Sequence, residues 1–240
     1  MNDTSPPQPA ESHLAAPPAQ EGILLSVIIP TFNEAGNITI LVDSVLSILS
    51  SQRAEVLVVD DNSPDGTAEA VRSLSNQDHR VRLLSRPRKM GLASAVFFGA
   101  DAAKGVYVCT MDADLSHDPE ELPRMLALAE KGMDVVIGSR FIPGAAFVHQ
   151  PPPRQLLSRA INASTRGLLR LKPTDVLTGY VLCKRSLITG MQTRYSGNGF
   201  KFLAELLATT PDLQVAEVPI RFHERRSGRS KASLHEAAQF

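Results

Sequence analysis

Short apolar runs and helix-spaced apolar positions alternate along most of this chain. A run rich in Val and Ile at residues 25–30 predicts a strand, and apolar spacing over 37–49 predicts a helix. The alternation continues with strand 55–59, helix 67–74, strand 81–84, helix 91–103, strand 106–111, helix 119–131 and strand 135–138. These strands are continuous apolar runs, the pattern of a strand covered on both faces. Strands of that kind separated by helices predict an α/β fold with a mostly parallel central sheet flanked by helices. The second half is less regular. Residues 141–153 carry three consecutive prolines and read as a loop, followed by helix 154–171, strand or ladder edge 176–183, short helix 200–208 and strand 214–222. With no internal repeat and no second-domain linker, a single domain over 23–233 is expected. The Pro- and Ala-rich stretch 1–22 reads as a disordered tail, and 234–240 as the start of an interfacial helix.

In a parallel sheet, ligands bind beyond the carboxyl ends of the strands. Four polar clusters stand there: Thr31 to Glu34, Asp60-Asp61, Asp112-Ala113-Asp114 and Ser139-Arg140. They should converge on one edge. Asp112 and Asp114 are the most informative pair, because residues i and i+2 of extended chain project to the same side. Two carboxylates that close repel unless a cation lies between them. A hard divalent ion, Mg²⁺ or Mn²⁺, resolves the conflict and keeps sites open for substrate phosphates. The competing explanation is an Asp-rich cap for the next helix, but Asp118-Pro119-Glu120 already supplies that start. His117 is expected to order the turn. At the first strand end Pro30-Thr31-Phe32-Asn33-Glu34 replaces the glycine-rich fingerprint of dinucleotide folds. Glu34 and Asp61 suit the edge of a nucleobase and ribose hydroxyls, with Phe32 beside the base; alternatively Thr31 and Asn33 simply cap the helix.

Bulk composition narrows the partners. Across 240 residues, 25 basic side chains balance 25 acidic ones, which removes any global case for nucleic acid. Cys109 and Cys183, far apart in apolar runs, are expected to be buried free thiols of a reducing compartment. No run reaches the length of a membrane span, and the start lacks the features of a signal peptide. A cytosolic protein is expected, soluble or attached to the cytosolic face of a membrane.

Four ordered segments make a resemblance specific: Ser-Val-Ile-Ile-Pro-Thr-Phe-Asn-Glu, Val-Val-Asp-Asp-Asn-Ser-Pro-Asp-Gly-Thr, Met-Asp-Ala-Asp-Leu-Ser-His and Ile-Gly-Ser-Arg. The chain resembles the family 2 inverting glycosyltransferases of the GT-A fold. Leu-Thr-Gly-Tyr, Gly-Phe-Lys, Glu-Val-Pro-Ile and Glu-Arg-Arg-Ser-Gly-Arg-Ser-Lys narrow the resemblance to the dolichyl-phosphate mannosyltransferase group, over roughly residues 25–233. That resemblance implies a nucleoside pocket at Pro30, Phe32, Glu34, Val59 and Asp61. It implies a metal and diphosphate motif at Asp112, Ala113 and Asp114. Ser116 stands where some members place a Gln metal ligand and others a Ser, so it would act directly or through a water. Arg140, Lys201, Arg225 and Lys231 match positions that contact the nucleotide-sugar, its phosphates or the acceptor phosphate. Tyr180-Val181-Leu182-Cys183 departs from the group's aromatic and Arg pattern after the glycine.

The implied reaction moves a sugar, with mannose from GDP-mannose as the leading donor, to a polyprenyl or dolichyl phosphate at the membrane surface. The same fold using UDP-glucose, another nucleotide-sugar or a non-lipid acceptor is the alternative, and a non-catalytic nucleotide-sugar-binding module is a third. Helix 154–171 bears on the choice: Leu156, Leu157, Ala160, Ile161, Ser164, Leu168 and Leu171 share a broad face, flanked by Arg159, Arg166 and Arg170. Spacing alone favours a core-facing helix with a solvated basic flank, whereas the resemblance implies membrane contact, with Arg154 and Ser158 meeting the lipid phosphate. The basic stretch 225–231, with its Gly and Ser, suits a loop closing over phosphates.

Overall fold

The structure, a computed structural model, describes residues 22–191 and 202–224. Strands β1 (Leu25–Thr31), β2 (Ala54–Asp60), β3 (Val81–Ser85) and β4 (Tyr107–Thr110) are joined by helices α1 (Ile38–Ile48), α2 (Thr67–Gln77) and α3 (Leu92–Ala102). A 3₁₀ turn, Pro119–Glu121, leads into α4 (Leu122–Glu130) and β5 (Val135–Ser139). Then come β6 (Ala146–Val148), α5 (Pro152–Leu169), β7 (Val181–Lys184), α6 (Arg185–Met191), α7 (Phe202–Thr209), β8 (Val215–Pro219) and β9 (Arg221–His223).

Among the described residues the main sheet has seven strands in the order β3-β2-β1-β4-β7-β5-β8. All pairs are parallel except those of β7, which runs against both neighbours. Every side chain of β2 and β5 is buried, as their unbroken apolar runs require of strands covered twice. One face packs on α1, α2 and α4 through residues such as Val27, Ile38, Val71 and Met125. The other packs on α3, α6 and α7 through Ile28, Phe97, Ile188 and Leu206. Cys109 lies opposite Leu182 and Cys183 opposite Val108, so successive pleats send the two thiols to different faces of the sheet. Both are free and buried, and burial pushes the Cys183 thiol up to about 12.

The parallel strands send all four polar clusters to one edge, as expected. Several elements differ from the sequence pattern. The strand expected at 176–183 begins only at Val181, because Asp175 to Tyr180 form an irregular segment tied down by side chains. The expected strand 214–222 breaks at Ile220 into β8 and β9, where the chain leaves the main sheet to pair with β6. Part of the expected 141–153 loop is therefore strand. Helix 154–171 instead runs Pro152–Leu169, since Pro fits the first helical turn. Helix 119–131 opens as a 3₁₀ turn, capped by Asp118 accepting from the Glu120 amide at 3.0 Å.

Helix α5 overturns the core-facing reading. Leu156, Leu157 and Leu168 are 70%, 60% and 84% exposed, and its one buried side chain is Asn162. Most of the apolar arc faces outward and the polar side inward, the reverse of an ordinary surface helix. Ile161 is half-buried, and Leu171, just past the helix end, packs on the core. Residues 1–21 of the expected 1–22 tail, Lys201, Arg225, Lys231 and the 234–240 segment lie outside the described residues.

Candidate active site at the strand ends

The end of β4 and the segment entering β7 are stitched around Asp112. Thr110 donates its hydroxyl to the Gly179 carbonyl at 2.6 Å, and Tyr180 donates its own to the Asp118 carbonyl at 3.0 Å. A Cβ on Gly179 would lie 3.0 Å from Asp112 Oδ1, so only a glycine leaves that carboxylate its present room. The turn after β4 passes through Leu115 at φ 63°, and the Asp112 amide donates to His117 Nδ1 at 3.2 Å. Nδ1 thus accepts, which leaves the proton of the neutral ring on Nε2, 3.9 Å from Asp112 Oδ2. The imidazole is buried, stacked on Tyr180 at 5.0 Å and against Phe222 at 5.5 Å. Burial pushes it below its ordinary value against the pull of Asp112 and Asp114. It orders the turn, as expected.

Asp114 Oδ1 accepts the Ser116 amide at 3.1 Å. The Ser116 hydroxyl is buried and has no hydrogen-bond partner among the described residues. A buried hydroxyl with no partner is costly unless something absent from the protein alone satisfies it. Among the described residues no group of three His, Cys, Asp or Glu side chains forms a metal site. The donor set here is two carboxylates and one hydroxyl, all oxygen, which fits a hard divalent cation. Ala113 turns its methyl into the core, so it addresses this site only through its backbone.

Arg140 leaves the end of β5 and grips a partner that the sequence pattern does not reveal. Its Nε and Nη2 donate to the two oxygens of Asp175 at 2.7 and 2.8 Å, and its amide donates to the same carboxylate at 3.0 Å. Asp175 is fully buried. The guanidinium lies over Phe141 at 5.1 Å and Phe222 at 5.3 Å. Phe222 therefore touches both Arg140 and His117, which joins the β5 cluster to the Asp112 turn.

At the β1 and β2 ends, Pro30 shares a narrow cleft with Asp112, Gly179, Val96 and Phe202. Phe32 is half-buried with the Lys89 ammonium 5.6 Å above its ring. Glu34 accepts from Asn37 Nδ2 at 2.9 Å. The helix-cap alternative for Thr31 and Asn33 does not hold: Asn37 occupies the cap position, Thr31 donates to Asp60, and Asn33 adopts φ 62°. Asp61 is buried, paired with Arg86 and accepting from the Met90 amide at 3.2 Å. Val59 is fully buried with Ile28 against α3. Its side chain therefore cannot line a nucleoside pocket, against what the resemblance implies. Arg154 and the half-buried Ser158 occupy the first turns of α5, with Arg154 4.0 Å from Glu224. Arg159 stacks on Phe141 and Phe147 at 5.3 and 5.8 Å. The pattern also missed Asn162, Asp175 and Glu217. Glu217 opens the Glu-Val-Pro-Ile segment and Asp175 precedes Leu-Thr-Gly-Tyr, which gave the only signal; Asn162 had none.

The glycosyl transferase family 2 model matches residues 26–189, which contain the whole Asp112 turn and Arg140. The chain belongs to glycosyl transferase family 2. Among family members, it is 35% identical over 209 residues to a dolichol-phosphate mannosyltransferase of Pyrococcus furiosus, covering 86% of this chain and 58% of that protein. The chain thus spans less than two thirds of that relative's length. It is 38% identical over 214 residues to the polyprenol monophosphomannose synthase of Mycolicibacterium smegmatis, covering 86% and 80% of the two chains. Among solved structures, glucosyl-3-phosphoglycerate synthase from Mycobacterium tuberculosis, in complex with Mn²⁺, UDP and glucosyl-3-phosphoglycerate, superposes with a TM-score of 0.66. That match has 22% identity and covers 90% of this chain and 75% of the other; it establishes the family's GT-A fold. Among the described residues, no helix of this family member is long and apolar enough to cross a membrane.

Proposed function

We propose that this glycosyltransferase moves mannose from GDP-mannose to the phosphate of a polyprenyl or dolichyl lipid, with inversion, while resting on the cytosolic face of a membrane. The observation that carries the lipid acceptor is α5, whose leucines face outward on an element that also bears Arg154 and Ser158. An exposed apolar arc flanked by Arg suits an anionic membrane surface. The names of the Pyrococcus and Mycolicibacterium relatives support the same sugar and acceptor class.

Mg²⁺ or Mn²⁺, held by Asp112, Asp114 and, directly or through water, Ser116, would supply counter-charge to the departing diphosphate. The Mn²⁺ and Mg²⁺ complexes of the solved neighbour support that assignment. The protein's own contribution is orientation and charge. Asp175 grips Nε and Nη2 of Arg140, which leaves the Nη1 side to meet phosphate oxygens as they gather charge. Lys201, Arg225 and Lys231 add further contacts to phosphates by resemblance. Pro30, Phe32, Glu34 and Asp61, with the backbone at Val59, take the nucleoside, Asp61 already carrying Arg86 as its counter-ion. A phosphate monoester has its second pKa near 6, so at neutral pH it attacks as a dianion without a general base. His117 fits that economy, being buried with Nδ1 committed to the Asp112 amide. A single displacement on an α-linked donor gives a β-linked product.

A donor screen with a short polyprenyl phosphate, with and without Mg²⁺ or Mn²⁺, tests this reading. GDP-mannose should be the preferred donor, and EDTA should stop transfer. Faster transfer from UDP-glucose, or equal transfer to a water-soluble phosphate, would shift the reading to another donor or acceptor. Binding of GDP-mannose with no transfer to any acceptor would reduce the chain to a binding module.

A further inference from the structure

The segment entering β7 is held from three sides. Asn162, on the inward side of α5, donates Nδ2 to the Thr174 carbonyl at 2.6 Å and accepts the Val176 amide on Oδ1 at 2.9 Å. Glu217 of β8 accepts the Thr174 amide at 2.7 Å and the Asp175 amide at 3.1 Å. Two side chains thus satisfy four backbone groups across three consecutive residues, and the middle one is Asp175. Asp175 in turn spends both carboxylate oxygens on Arg140. At 100° per residue, Asn162 lies on the side of α5 opposite the arc of Leu156, Leu157 and Leu168. No other residue of that helix is buried as a whole, so Asn162 is its deepest anchor in the domain.

We propose that Asp175 is a positioning residue for Arg140, and that Asn162, clamping the backbone on both sides of Asp175, makes the aim of Arg140 follow the seat of α5. The inference rests on the reading that Arg140 addresses substrate phosphate and that α5 meets the lipid. A two-point grip on Nε and Nη2 fixes the plane of the guanidinium and leaves the Nη1 side as the edge presented to an anion. Rotation of Arg140 about its own long side chain is thereby removed. A tilt of α5 on meeting lipid pulls on Asn162, which moves the 174–176 backbone as a unit because both of its polar ends are tied to one amide side chain. The Glu217 carboxylate holds the other side of the segment and acts as its pivot. The guanidinium then turns with Asp175. The seat of α5 on lipid and the aim of the phosphate-binding Arg are thereby linked.

Steady-state kinetics on Arg140→Ala, Asp175→Asn, Asn162→Ala and the two doubles with Arg140→Ala test the relay, with melting curves on the same preparations. Misplacement of a substrate-positioning group by about 1 Å costs up to ~10²-fold in rate. Asp175→Asn should therefore lower kcat by roughly 10- to 100-fold, with the KM for donor changed less than about twofold. Asn162→Ala should lower kcat about 10-fold, and either change should add less than about twofold in the Arg140→Ala background, since residues acting through one group are not additive. A merely structural role would give losses that multiply and follow the melting temperature. If Asp175→Asn does not fold, the Asn162 cycle decides alone, because that side chain touches neither Arg140 nor its carboxylate. Multiplying losses in both cycles, with Arg140→Ala itself severe, overturn the relay. Wild-type turnover in Arg140→Ala instead removes the assigned role of Arg140, and the relay falls with it.

Discussion

Replacing Leu156, Leu157 and Leu168 together by Gln should detach the protein from vesicles while leaving it folded. Their exposures of 70%, 60% and 84% leave about two leucine side chains' worth of apolar surface for lipid to take from water. At roughly 1.5–3 kcal/mol per leucine, that is about 3–6 kcal/mol, or a ~10²- to 10⁴-fold fall in partition. Gln has nearly the helix propensity of Leu, so α5 itself should persist. Each exposed substitution should change stability by about 0.5 kcal/mol or less, which for a domain of this size keeps the melting temperature within roughly 5 °C. Leucines in a core would each cost ~2–5 kcal/mol, and the triple variant would unfold. Co-sedimentation with phosphatidylglycerol vesicles and a thermal melt on one preparation separate the two cases. Collapse of the melting temperature with vesicle binding intact would refute the inverted orientation of the helix.

Asp114→Ala should abolish transfer, because loss of one electrostatic stabiliser costs on the order of 10²–10³ in rate and loss of the ion more; near-normal turnover in EDTA would count against the metal. Gly179→Ala sets a methyl 3.0 Å from Asp112 Oδ1 and should weaken Mn²⁺ binding by about 10-fold, as displaced support around a ligand does, which titration calorimetry reads directly. Arg159→Gln should cost the membrane less than the ~1 kcal/mol expected of a surface charge, and instead destabilise the fold by roughly 0.5–1 kcal/mol, since its guanidinium is stacked on Phe141 and Phe147. Asp78 is held down to about 2 by its hydrogen bonds from Arg80. Its folded value is depressed, so its contribution is complete above the unfolded value near 3.8 and is lost as pH falls toward 2. Asp78→Asn should flatten the acid-stability curve in that window, and an unchanged curve would remove the pair from the account.

The first half of the fold was legible because a doubly covered strand advertises itself as an unbroken apolar run, and because parallel strands send their ends to one edge. Asp112, Asp114 and Arg140 were placed at that edge by that logic alone. The direction of β7 was not legible: Val181 to Cys183 are as apolar as any buried strand, and a four-residue strand carries no mark of its sense. Helix α6 has only seven residues and no capping signal, and β6 exists only because β9 is there to pair with it. Spacing drew the apolar arc of α5 except for Leu171, which lies past the helix and packs on the core, and an arc does not say whether it meets a core or a membrane. Asn162, Asp175 and Glu217 are single polar residues with no mutual spacing, and only folding brings them to one segment. Asp61 shows the opposite failing. Its position was readable, but not that Arg86, from the end of β3, already neutralises it.

The reversed strand also has a consequence for the order in which this molecule assembles. β4 and β5 make no ladder with each other; each pairs with β7, which is synthesised after both. The block β3-β2-β1-β4 can close on a nascent chain with local crossovers, and β5 can dock through α4, but the slot between them stays open until residues 181–184 arrive. Filling a slot with a distant segment requires closing a long loop, which is slow. The 174–180 segment enters with that strand, and with it come Asp175 and Gly179, the neighbours of Arg140 and Asp112. Acquisition of a competent site should therefore coincide with the last kinetic phase of refolding rather than with the gain of secondary structure. A nascent chain arrested before Val181 should show parallel sheet without the Asp112 pocket.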